Sequence, residues 1–399
     1  MKAKVKIGKL ISTVDKGMVA LTTVEDAETQ HSDFGRFAIV SGKIGIKAIT
    51  NKAASYCTSQ LADDEEAESG GCHAISLPKL RSILASLPKS DFVEFEYKAG
   101  EEEDSTGNLF FISNKTNWKM PCMPPTVVSD VNIDDGDFCF EIEKEKFLEA
   151  VSSISFASNL NDAFFTTCNV CVSVDDKYVL LGATDDIRCA TVRLESPNLI
   201  KGKRFLLPIP SLTKALKCFD NGLIKVYSDV GFARFSQEGH SVRMSLPGGS
   251  DIRRFPNFEA VSKKDHPFKI RVMTSKFKSM VGTCTDMNRE EFLMKIDPDF
   301  INVYSYGASD SISYHSAMAY SGDKVFLSIG VCSMFLMDFM KKVKEEVIQI
   351  EFAEKDGKPK YMIIQDCAGM FYLMKALVDL VHIPTEIDIL PMAKARGFL

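Results

Sequence analysis

The sequence predicts an α+β chain built from three tandem copies of one domain, each copy setting two helices on antiparallel strands. Three observations predict it. One apolar pattern at i, i+3, i+4 and i+7 occurs six times, in three pairs. The pairs are Ile7-Leu10-Ile11-Val14 with Leu80-Ile83-Leu84-Leu87, Phe147-Ala150-Val151-Ile154 with Leu212-Ala215-Leu216-Phe219, and Phe277-Met280-Val281-Cys284 with Leu336-Phe339-Met340-Val343. That spacing lays one apolar stripe along a helix face. The period is the second observation. First helices stand 140 and 130 residues apart, and second helices 132 and 124. An interval near 130 residues is domain-sized, too long for a solenoid unit. Third, a short alternating strand follows each second helix at an offset of 11 or 12 residues.

Those strands are Phe92 to Tyr97, Leu223 to Tyr227 and Val347 to Phe352, where β-branched and aromatic residues alternate with polar ones. Such alternation reads as a strand with one buried face. Another strand follows each time: Leu109 to Ile112, Gly231 to Phe235, and Tyr361 to Ile364. The predicted domains span residues 1–127, 137–262 and 267–380, followed by a tail at 381–399 with no repeat partner. Linkers fall at Pro121-Cys122-Met123-Pro124-Pro125 with the acidic stretch to Asp137, and at Ser262 to Pro267. The acidic runs Asp63 to Glu66 and Glu101 to Asp104 read as solvated loops.

Composition sets limits. The chain has 399 residues, 45% apolar and 26% charged, ordinary for a soluble globular protein. No apolar run is long enough to span a bilayer, and the N-terminus lacks a signal-peptide core. The expected location is the cytoplasm. Eleven scattered cysteines argue against a closed disulfide framework. The C-x-x-C formed by Cys168 and Cys171 lies in a strand-like run, where residues three apart face opposite sides, so buried free thiols are expected rather than a metal or redox site.

Charge is unevenly distributed. The whole chain carries −6. The helical segments 6–18, 77–89, 143–157, 209–219, 274–288 and 333–345 hold fifteen basic and seven acidic residues, a surplus of eight that leaves −14 elsewhere. Positive charge gathered on repeated helices of an acidic protein points to a polyanion, and nucleic acid is the obvious one. Lysines at phosphate distance give affinity without sequence information. Catalytic signatures are absent: no phosphate-binding G-x-x-x-x-G-K-[ST] loop, no H-E-x-x-H and no G-x-S-x-G. Asp185-Asp186 could serve as a metal carboxylate pair, although a strand-end turn accounts for it equally, and the other copies carry no matching pair.

Four stretches are similar to the bacterial β sliding clamp, the processivity subunit of the replicative polymerase. Ala183-Thr184-Asp185-Asp186-Ile187-Arg188-Cys189-Ala190 resembles the family's A-T-D-G-H-R-L-A. Arg254-Phe255-Pro256-Asn257-Phe258 resembles its F-P-[DN]-[YF]. Leu327-Ser328-Ile329-Gly330 with Phe335-Leu336-Met337-Asp338 resembles I-x-F-N-x-x-Y-L-x-D, and Phe371-Tyr372-Leu373-Met374 resembles Y-V-V-M-P. The resemblance implies three clamp domains per chain and two chains closing head-to-tail into a ring around duplex DNA. It implies no enzyme activity and no cofactor. Partners would be double-stranded DNA, a DNA polymerase, a clamp loader and a second copy of the chain.

Carried over by position, the DNA-facing residues would include Lys9, Lys16, Lys79, Arg81, Lys144, Lys214, Lys217, Lys276, Lys341 and Lys342. A partner-peptide pocket would be lined by Thr184, Asp186, Arg188, Cys189, Pro256, Val261, Tyr361, Tyr372, Leu373 and Met374. Trp118, Met120 and Met287 would lie at the dimer interface. The chain departs from the pattern where Asp186 replaces a glycine, Ile187 a histidine, Cys189 a leucine and Lys375 a proline, which implies an altered peptide preference, as for a phage or plasmid polymerase. The tail could cover the pocket of its own chain. Three other readings stand beside this one: a different DNA-encircling protein such as a trimeric clamp, a metal-dependent enzyme acting on phosphates through Asp185 and Asp186, and a structural repeat protein with no DNA role.

Overall fold

The computed structural model describes residues 2–23, 33–40, 42–50, 52–62, 65–67, 70–98, 107–113, 116–128, 132–159, 167–248, 252–253, 255–257, 266, 268–306, 313–355, 358–365 and 371–375. Helices occupy all six expected positions: α1 (Ile7–Gly17), then the short α2 (Val19–Thr23), α3 (Leu77–Ala85), α4 (Lys144–Ile154), α5 (Ile209–Lys217), α6 (Thr274–Met287) and α7 (Ser333–Met340). The periodic apolar residues are what these helices bury. Every stripe residue is at most 8% exposed except Ile83 and Leu87 on the second helix, which are half-buried. α3 stops a turn earlier than the stripe. The hydroxyl of Ser86 donates to the Ile83 carbonyl, and Pro88 disfavours helical backbone at Leu87.

The helix starts carry a repeated geometry that the sequence does not announce. A strand runs directly into each first helix, and no side chain caps α1 or α6. Instead, the first helical N–H donates to the carbonyl just ahead of the neighbouring strand: Ile7 to Asp91 (2.9 Å), Lys144 to Gly222 (2.9 Å) and Thr274 to Glu346 (2.8 Å). The ladders agree in register, with Lys6 opposite Phe92, Glu143 opposite Leu223, and Met273 opposite Val347. An orphan donor of each helix is thus satisfied by backbone about 80 residues away. Pro78 and Pro210 sit in the first turns of α3 and α5, where a missing N–H has little effect.

The chain divides into two compact units, one of Met1–Glu149, Val172–Val179 and Leu194–Ile252, the other of Ala150–Cys171, Leu180–Arg193 and Arg253–Leu399. In the first, a five-stranded antiparallel sheet runs in the order Glu66–Ala67, Lys2–Lys6, Phe92–Lys98, Asn108–Ser113, Thr116–Pro121. An eight-stranded sheet joins residues of two predicted copies, because Ala53–Gln60 pairs with His240–Ser245. Phe37, Phe95 and Phe111 anchor the core against α1 and α3. In the second unit, the same kind of junction pairs Arg188–Thr191 with Phe371–Met374. That ladder continues through Lys358–Gln365, Val347–Lys355 and Phe268–Met273. A four-stranded sheet runs Ser313–Ala319, Phe300–Tyr306, Phe292–Ile296, Leu327–Val331. No helix among the described residues is long and apolar enough to cross a membrane.

Candidate functional site

Arg188 organises the candidate site in the second unit. The hairpin between Val179–Thr184 and Arg188–Leu194 closes on a tight turn. There the Asp185 N–H donates to the Arg188 carbonyl, and the Thr184 hydroxyl donates to the same oxygen at 2.8 Å. Asp185 Oδ1 accepts from the N–H groups of Ile187 and Arg188, while its Oδ2 takes Arg188 Nε at 2.8 Å. The other arm of the guanidinium reaches Asp338 on α7 at 3.0 Å. The planar cation lies 4.1 Å over the Phe335 ring and 5.6 Å over Phe156. Burial opposes the charge on Arg188, but hydrogen bonds from Asp338 and Asp185 outweigh it and raise its pKa above the usual arginine value. Tyr372 stacks on Phe339 at 4.6 Å and donates its hydroxyl to the Phe335 carbonyl, and burial raises its pKa.

The structure therefore brings Thr184, Arg188, Cys189, Tyr372, Leu373 and Met374 onto one ladder, with Tyr361 on the next strand opposite Lys375. Cys189, Tyr372 and Met374 are buried, so they underlie the site rather than face solvent, whereas Tyr361 and Leu373 are half-buried and Pro256 is exposed. Val261 and the tail 381–399 lie outside the described residues. Asp186 adopts φ 71°, a left-handed conformation that aspartate tolerates better than most residues and that explains a glycine in the family pattern. The metal reading of Asp185-Asp186 loses its donor, because Asp185 is consumed by the turn and by Arg188. No cluster able to hold a metal ion occurs among the described residues. Phe156, Phe335 and Asp338 belong to the site but were not singled out as site residues from sequence. Asp338, one polar residue inside an apolar helix, was the available signal.

The basic residues separate into two groups. Lys79, Lys214, Lys217, Lys276, Lys341 and Lys342 are exposed on or just beyond the polar helix faces. Arg81 pairs with Asp15 across α3 and α1, and Lys16 pairs with Asp220. A cleft of about 410 Å³ beside α1 is lined by Lys16, Lys89 and Lys217, with Asp15 and Asp220. Two expected DNA-facing residues are structural instead. Lys144, with 12% of its side chain exposed, donates to the Phe219 carbonyl and to Asn221 at 2.9 Å, tying the start of α4 to the end of α5. Lys9 donates to Glu65 at 2.7 Å. Glu65 is not in a solvated loop as its acidic run suggested. Its side chain is 1% exposed and also accepts the N–H groups of Lys6 and Ala62. Burial opposes its charge, but these donors overcome it and hold the carboxyl below the usual range.

The cysteines behave as packing residues. Burial raises the Cys57 and Cys122 thiols to about 11 and those of Cys189, Cys218 and Cys284 to about 12. They are protonated and poorly nucleophilic at neutral pH.

Comparison with solved structures follows this geometry. The chain aligns with the DNA polymerase III subunit beta of Pseudomonas aeruginosa at TM-score 0.77 and 14% identity, covering 94% of this chain and 100% of that one. The beta subunit of Thermotoga maritima gives 0.72 and 17%, covering 94% and 99%. The Helicobacter pylori beta clamp bound to a DNA ligase peptide gives 0.74 and 16%, covering 95% and 100%. The chain has the β sliding-clamp fold. No family model matches it, and no curated protein matches it by sequence.

Within that clamp fold, the expected interface residues fall in different environments. Trp118 lies half-buried on Thr116–Pro121, the edge strand of the five-stranded sheet among the described residues. Met120, two residues on, is 3% exposed and packs into the core with Leu109 and Phe111. Its assignment to an interface is corrected: strand alternation turns it inward. Met287 ends α6, half-buried.

Proposed function

We propose that the chain is a DNA sliding clamp. It acts as a non-enzymatic processivity factor that surrounds duplex DNA without reading its sequence and tethers a polymerase through the cleft around Arg188. The observation that carries this reading is a clamp fold whose repeated helices present exposed lysines in a chain of net charge −6. Topology would supply retention, and lysines would supply a diffuse, salt-screened attraction that permits sliding. The three clamp domains are placed at 1–127, 137–262 and 267–380, and the ring is a homodimer opened by a clamp loader in the cytoplasm.

For partner binding, the solved neighbour carrying a DNA ligase peptide supports a short linear peptide as the ligand. In this chain the half-buried Tyr361 and Leu373, beside the fixed Arg188, offer apolar surface with few polar anchors, which suits such a segment. The deciding experiment is retention on DNA after loading by the cognate loader. A clamp stays on circular duplex and is lost when that duplex is linearised. Equal dissociation from both forms would refute topological linkage. Metal-dependent turnover abolished by Asp185→Asn would favour an enzyme.

A further inference from the structure

The first unit contains a cleft at the position that the Arg188 site occupies in the second, and its chemistry is different. The strand register makes the correspondence. In the second unit Arg188 lies opposite Met374, which lies opposite Met362, and Tyr361 lies opposite Lys375. In the first unit Ala53 lies opposite Met244, which lies opposite Ala233, and Phe232 lies opposite Ser245. Phe232 thus stands where Tyr361 stands, and Ala53 where Arg188 stands. Arg243 takes the place of Leu373. The turn corresponds as well: the Thr50 N–H donates to the Ala53 carbonyl as that of Asp185 does to Arg188.

The replacement of Arg188 by Ala53 leaves space. A cavity of about 230 Å³ is lined by Thr50, Lys52, Val230, Phe232, Arg243 and Ser245, among others. Its lining has two cations and no carboxylate, whereas Arg188 is neutralised by Asp185 and Asp338. Arg243 is held in place with its guanidinium 3.6 Å over Phe232 and one nitrogen donating to the Asn132 carbonyl at 2.8 Å. Val230, at the rim, is 96% exposed. The volume lies below the ~300–1,000 Å³ of small-molecule sites, which suits one or two side chains of a peptide.

We propose that this cleft is a second docking site that takes a short acidic peptide of a partner protein, with an apolar side chain against Val230 and Phe232 and a carboxylate toward Lys52 and Arg243. Charge complementarity selects this occupant: a fixed guanidinium beside a lysine, with an apolar rim, matches alternating acidic and apolar residues. The comparison borrows the reading of the Arg188 site as a peptide cleft, but the test does not depend on it.

The probe is a fluorescein-labelled Leu-Glu-Asp-Leu peptide titrated by anisotropy against the full-length protein. Both substituted residues in a Lys52→Glu/Val230→Asp variant are exposed, so it should unfold at the wild-type temperature. Its affinity should fall at least tenfold, and a Leu-Gln-Asn-Leu probe should bind the wild type at least tenfold more weakly. Tyr361→Ala should leave the probe's affinity unchanged. Unchanged binding by the double variant would overturn the proposal. So would abolition by Tyr361→Ala, which would assign the probe to the second unit, or displacement by a short DNA duplex, which would make the cleft part of a DNA path. Loss of selective retention on circular DNA would remove the clamp reading and leave this result standing.

Discussion

Arg188 shows how one side chain holds a site together. Its fork satisfies two carboxylates, and its face covers two rings, so neither a point charge nor an apolar isostere can replace it. Arg188→Leu strands two partly buried carboxylates and should lower stability by about 3 kcal/mol. Arg188→Lys should recover less than half of that, as read by urea unfolding. His240 offers a test by pH. Burial lowers its imidazole to about 4, its Nδ1 has no partner, and it packs 4.4 Å from Phe219. In the unfolded chain it titrates near 6.5. Between these values the unfolded state binds the extra proton, so His240 makes stability fall as pH drops from about 6.5 toward 4. The loss reaches about 3 kcal/mol below that range. A His240→Phe variant should show a flatter stability profile between pH 6.5 and 4; an unchanged slope would show that the buried imidazole is not its source. The sequence marked Arg188 through the A-T-D stretch but gave no sign of His240 or Glu65, because burial of a titratable group depends on strands far apart in the chain.

Helices were the most legible elements, for a physical reason. A 3.6-residue period is written in one short window, and the residues it picks out are those that α1 to α7 bury. Their starts were not legible, since each first helix is capped by a carbonyl about 80 residues away rather than by its own Ser, Thr or Asp. Charge was legible only as a sum. Lys144 and Lys9 counted toward the basic surplus, yet each is held in a local hydrogen-bond network. The useful cations are the exposed ones, which sharpens the test. Lys214→Glu/Lys217→Glu on α5 should weaken DNA association and flatten its salt dependence, because two phosphate contacts are replaced by repulsion. Lys144→Met should instead lower the unfolding temperature and leave the salt slope unchanged. Identical salt slopes for the wild type and the α5 variant would place those lysines away from DNA.

Across the whole molecule, the threefold period was legible and the division into two compact units was not. Ladders such as Ala53 to Gln60 with His240 to Ser245 connect residues that sequence reading had assigned to different domains. Those ladders use up strand edges inside the chain, and two edges remain among the described residues. Thr116–Pro121 ends the five-stranded sheet, and Ser313–Ala319 ends the four-stranded one. An open edge is a template for another strand, and two different open edges on one chain define a head-to-tail contact that closes when the rotation permits. We therefore place the dimer contact of the proposed clamp at these edges. The residues on Thr116–Pro121 separate cause from side effect. Trp118 is half-buried, so Trp118→Ala should convert the dimer to a monomer in sedimentation with a small change in unfolding temperature. Met120 is in the core, so Met120→Ala should destabilise the fold by about 2–4 kcal/mol while the surviving folded fraction still dimerises. A Trp118→Ala protein that sediments as the wild type does would move the interface away from this edge, and with it the route by which two chains close around DNA.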